Sequence, residues 1–104
     1  MADNFFDVWG KENPATMKAF FDFAGAIQNG CGLDEKTFQL CYMAIQASRG
    51  GVASVAAHAG FAKKAGATRQ EVLGAVLVSL MTSGINCVSD CLAAAAQGYD
   101  NAPA

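Results

Sequence analysis

The chain has 104 residues, 53% of them hydrophobic and only 15% charged, at a net charge of −2; soluble domains usually carry about 25% charged residues. One domain over 1–104 with a single modest core is expected, and its polar residues are too few to coat a monomer, so apolar surface should be buried between copies. Scattered basic residues argue against a nucleic-acid partner, the apolar run Val72 to Met81 is shorter than the ~20 residues of a membrane span, and the acidic start MADNFFDVWGKE lacks a signal-peptide core, which predicts a cytoplasmic protein.

Asn4 to Trp9 carries Phe5, Phe6, Val8 and Trp9, an apolar hook that should pack on something. Pro14 suits the first turn of a helix, where its missing N–H costs nothing. Met17, Phe20, Phe21, Ala24 and Ile27 then follow helical spacing, with Lys18 and Asp22 off that face. Asn29-Gly30-Cys31-Gly32 breaks the chain. Asp34 is the expected N-cap of the next helix, whose stripe is Phe38, Cys41, Tyr42 and Ile45, widened by Leu40, Met43 and Ala44.

After Arg49-Gly50-Gly51, a helix is expected from about Val52 to Ala65, packing through Val55, Ala56, Ala59 and Ala62. Lys63 and Lys64 favour its negative end, and Gly66 can take the left-handed conformation that stops it. Thr68 and Glu71 form a capping-box pattern opening the helix Arg69 to about Thr82. That helix is apolar on nearly every side, which predicts burial, with help from a neighbouring subunit. Ser83-Gly84 punctuates, and a last helix is expected from about Asn86 to Gln97, ended by Gly98, with a loose tail from Tyr99 to Ala104. Strand-like alternation is missing throughout. The fold class is all-α: a compact bundle of five main helices with a short N-terminal helical hook.

The runs LDEKTFQLCYMAIQAS and HAGFAKKAGATRQEVLGAV, followed by an apolar helix ending in Ser-Gly, resemble the carboxymuconolactone decarboxylase family, over about Phe5 to Tyr99. That family shares its fold with the alkylhydroperoxidase AhpD. The resemblance implies an AhpD-like helical bundle assembled as a trimer or hexamer. In the redox-active branch, the histidine lies four residues after the second cysteine of a C-x-x-C pair, and a relay glutamate lies twelve residues before the first. Counting from His58, those positions hold Ser54, Gly51 and Gln39. Only the histidine remains. Peroxide reduction needs an attacking thiolate, a resolving thiol and a base, so the inherited peroxidase mechanism is lost here.

The decarboxylase branch lacks the C-x-x-C pair and acts on a small lactone acid without a metal or organic cofactor, so no cofactor is implied. On that reading His58 is the general acid/base, and Ser54 (one helical turn away) and Gln39 orient a polar small-molecule ligand. The same residues also fit a half-buried histidine bonded to a backbone carbonyl, with no catalytic part. Arg49 and the amides around Gly51 at a helix N-terminus could hold a carboxylate, or Arg49 could be a solvated loop charge. None of the four cysteines stands in a C-x-x-C pair or at zinc spacing. Cys41 reads as a small buried apolar residue. Cys87 and Cys91, four apart, could alternatively serve with Cys41 as a relocated redox set, although i,i+4 cysteines rarely reach disulfide geometry. Three functions therefore stand side by side: a small-acid or lactone enzyme, a thiol peroxidase with relocated cysteines, and a non-catalytic ligand-binding or scaffold oligomer.

Overall fold

A computed structural model describes residues 4–104. Six helices follow one another: α1 (Phe5–Glu12), α2 (Pro14–Gly30), α3 (Glu35–Ser48), α4 (Val52–Lys64), α5 (Arg69–Ser83) and α6 (Ile85–Asn101), with no strand among the described residues. The all-α expectation of five main helices and a hook holds. The contacts divide the chain into two compact units, Met1–Leu33 and Asp34–Ala104.

In the first unit the hook is itself a helix. The Asn4 side chain accepts from the Asp7 amide at 2.9 Å and the Asp7 carboxylate accepts from the Asn4 amide, a reciprocal cap. Trp9 packs between Phe5 and Phe20, each at 5.4 Å between ring centroids, and its Nε1 donates to Thr16 Oγ1 at 2.9 Å. Pro14 sits in the first turn of α2, as expected. Two helices cannot enclose a core, and neither holds a buried residue. The stripe of Phe20, Phe21 and Ile27 stays about half exposed.

The second unit packs α4 and α5 each against α3 and α6. Its core is Met43 and Ala47 of α3, Val55, Ala59 and Ala62 of α4, Val72 and Val76 of α5, and Val88, Cys91 and Ala95 of α6. The turns are set locally. Gly66 takes φ +98°, its N–H donates to Lys63 O and the Ala67 N–H to Ala62 O, closing α4 with a Schellman motif. Gly50 repeats the device after α3, with Gly50 N–H on Ala47 O and Gly51 N–H on Gln46 O. The capping box is complete: Glu71 N–H donates to Thr68 Oγ1 at 3.0 Å, and Thr68 N–H to Glu71 Oε1 at 2.8 Å. Asp34 caps α3 through the Thr37 amide at 2.7 Å.

Three expectations need correction. The buried face of α3 is Gln39, Met43 and Ala47, not Phe38, Cys41, Tyr42 and Ile45. The polar Gln39 can be buried because its amide is hydrogen-bonded at both ends. Cys41 is accordingly exposed rather than buried. Helix α5 buries Val72, Val76 and Ser79 within the chain, the last donating to Ala44 O, and leaves Val78 and Met81, 60% and 86% exposed, on the surface for which a neighbouring subunit is the expected cover.

The third correction concerns α6. It does not stop at Gly98 but runs to Asn101. Gly98 is there for close approach: a Cβ on it would strike the backbone of Ala56 on α4, whose Cα and carbonyl carbon would lie 2.9 Å away. The expected loose tail is tied down. Tyr99 Oη donates to Ala67 O at 3.0 Å, Lys63 Nζ donates to the carbonyls of Tyr99 and Ala102 at 3.0 and 2.9 Å, and Arg69 grips Asp100 through two nitrogens.

Candidate functional site

His58 stands mid-way along α4, and its neighbours come from α3. An i,i+4 pair on α3, Glu35 and Gln39, projects one turn apart on the same face, which brings the second of them to the ring. Gln39 Nε2 donates to Glu35 Oε1 at 3.2 Å, and Gln39 Oε1 lies 2.6 Å from His58 Nδ1. Tyr42, one turn beyond Gln39 on roughly the same side, stacks on the imidazole at 3.7 Å between centroids and 18° between planes. Phe61 meets it edge-on at 4.9 Å.

Chemistry then fixes the hydrogens. A carboxylate only accepts, so Gln39 must turn its NH₂ to Glu35 and its carbonyl to the ring. A carbonyl oxygen also only accepts, so His58 Nδ1 carries the proton and donates to it. In the neutral ring Nε2 is left with a free lone pair. Burial pushes the His58 imidazolium below its ordinary value of 6.5, favouring that neutral form. The site is a half-buried imidazole held between an aromatic face and a two-residue polar chain.

Of the residues singled out from sequence, the structure brings His58 and Gln39 into contact. Ser54 lies half-buried on α4, one turn before His58, and is outside the hydrogen-bonded chain. Arg49 is the exposed C-cap of α3, where its N–H closes the turn onto Ala47 O and Gln46 O. Gly51 caps α4, and a Cβ there would sit 2.6 Å from Gln46 Oε1, so the Gln46 amide lies directly over it. Glu35, Tyr42 and Phe61 were missed. The signal for the first was present: Glu35 and Gln39 are four apart at the start of a capped helix.

The cysteines are dispersed. Cys31, Cys41 and Cys87 are exposed, whereas Cys91 belongs to the core. Burial, and secondarily the charge of Asp90, pushes the Cys91 thiol up, opposite to what an attacking thiolate requires. Cys41 lines an open groove of about 310 Å³ between α3 and α5 with Leu40, Ala44, Glu71, Ala75 and Val78, and His58 is not among its walls. Among the described residues, no group of three or more His, Cys, Asp or Glu side chains is placed to hold a metal ion. Nor is any helix long and apolar enough to cross a membrane.

One protein family, described as the carboxymuconolactone decarboxylase family, has a sequence model that matches residues 14–97. No curated protein and no solved structure matches the chain.

Proposed function

Since the chain belongs to the carboxymuconolactone decarboxylase family, we propose that it acts on a small organic acid or lactone, with His58 as the general acid/base. The observation that carries this reading is the bond from His58 Nδ1 to Gln39 Oε1 at 2.6 Å, which leaves Nε2 free to take and return a proton. In decarboxylation of a lactone acid, the bond from the ring carbon to the carboxylate breaks and carbon dioxide leaves. The electron pair passes into the conjugated lactone carbonyl. His58, protonated at Nε2 from solvent, delivers that proton to carbon and returns to its neutral form. Charge and atoms balance, and no metal or organic cofactor is required by the step. Ser54, one turn away, and Arg49 with the Gly51 region are the proposed ligand-orienting groups.

The test is turnover of carboxymuconolactone and related lactone acids, followed by carbon dioxide release. His58→Ala should lower kcat by 10²- to 10⁴-fold, the range of a positioned acid/base, while leaving the assembly size unchanged. Full activity in that variant overturns the proposal. Binding of these acids without turnover by the unaltered chain favours the ligand-binding reading instead. The exposure of Ile45, Val78 and Met81, at 61%, 60% and 86%, supports the further proposal that copies associate as a trimer or hexamer, covering this apolar surface.

A further inference from the structure

We propose that Glu35 is a positioning residue which, acting through Gln39, determines which nitrogen of His58 is the base. The inference deepens the acid/base reading of His58 and rests on it for its catalytic consequence alone. A primary amide is nearly symmetric in shape, so nothing in packing tells Gln39 which end faces the ring. What differs is chemistry: one end donates and the other accepts. His58 cannot decide the matter, because neutral imidazole can donate or accept at Nδ1 by changing tautomer. Glu35 can decide it, because a carboxylate has no proton to give. With Glu35 Oε1 at 3.2 Å from Gln39 Nε2, the reversed amide would set two acceptor oxygens against each other.

The surroundings make that choice stick. Gln39 is only 5% exposed, so water has little access to satisfy a turned amide, and every buried side-chain polar atom among the described residues is already paired. Glu35 is the first residue of α3, four positions before Gln39 and so on the same face of the helix. Tyr42, stacked at 3.7 Å, holds the plane of the ring. An accept-only group outside the core thus dictates the tautomer of a half-buried imidazole two hydrogen bonds away.

His58 is the only histidine in the chain, so a long-range proton–nitrogen NMR spectrum of the full chain reports this ring alone. At a pH where the ring is neutral, the unaltered chain should give a pyrrole-type Nδ1 and a pyridine-type Nε2. Glu35→Gln keeps the size of the side chain but restores a donor, so the two nitrogen shifts should move toward each other as both tautomers become populated. Gln39→Leu should leave Nε2–H the major form. Glu35 is exposed, so its variant should keep the fold, and it carries the test if Gln39→Leu does not fold. A predominant Nε2–H tautomer in the unaltered chain, or a Glu35→Gln spectrum identical to it, overturns the proposal. On any lactone acid that is turned over, Glu35→Gln should lower kcat several-fold with KM within twofold. A spectrum that follows expectation beside a fully active His58→Ala would keep the positioning role and sink the acid/base reading.

Discussion

Replacing Gly98 with Ala probes the packing that the site depends on, since it loads the α4–α6 contact on the helix that carries His58. Two effects oppose each other. Within a helix, Gly→Ala is favourable by about 1 kcal/mol through backbone entropy. Against this, the new methyl would overlap the Ala56 carbonyl oxygen, its nearest atom, and stand 2.9 Å from two backbone carbons of Ala56, where carbon atoms prefer roughly 3.5–4.0 Å. Backbone cannot rotate away as a side-chain tip can, so α4 and α6 must part. Overpacking of this kind costs about 1–3 kcal/mol, occasionally more. Parting the helices also loosens the bonds from Lys63 Nζ to the carbonyls of Tyr99 and Ala102. With a backbone oxygen as the nearest atom the upper end applies, so the net expectation is a loss of about 2 kcal/mol, or roughly 8–16 °C in Tm for a unit of this size. Gly74→Ala is the control: it too lies within a helix, but its added Cβ meets nothing within 4 Å, so it should gain up to about 1 kcal/mol. Thermal and urea melts of both variants decide it. A Gly98→Ala chain as stable as the unaltered one would refute the close-approach reasoning.

Stability should depend on pH through His58 with a definite sign. Burial lowers its folded value below 6.5, so between the two values the unfolded chain binds more protons and stability rises with pH. The contribution is present above about 6.5 and lost as pH falls through the folded value; a His58→Gln chain should lack this limb in urea melts, and an unchanged profile would contradict it. Asp34, Glu71 and Asp100, each lowered chiefly by hydrogen bonds, contribute a separate limb lost at more acid pH. In alkylation followed by intact mass, Cys31 and Cys87 should react in the native state and Cys91 only on unfolding. One equivalent of an organic hydroperoxide should remove no pair of thiols, and a dithiol-reversible loss of two would revive the peroxidase alternative. Val78→Glu should reduce the sedimentation coefficient and raise the reactivity of Cys41, which shares its groove; a monomeric unaltered chain would dispose of the association.

The sequence by itself determined what is decided within a few residues. The Asp34 and Thr68 caps, the left-handed Gly66 and the Gly84 break rest on bonds spanning three to five positions, Pro14 at a helix start rests on its own missing N–H, and each is where it was expected. The family resemblance likewise picked out His58 and the position held by Gln39. Only the tertiary structure decided which helix faces are buried, because hydrophobic spacing cannot see that a polar side chain will find partners at both ends. Phe38 and Ile45 scored as core by periodicity, yet Gln39 holds the buried position because Glu35 and His58 satisfy its amide. Gly98 looked like a terminator because a lone glycine near a helix end usually is one. Its actual role depends on Ala56, forty-two positions earlier in the chain, pressing against it. Glu35 went unseen for the same reason: its effect on His58 passes through a contact between two helices that only folding creates.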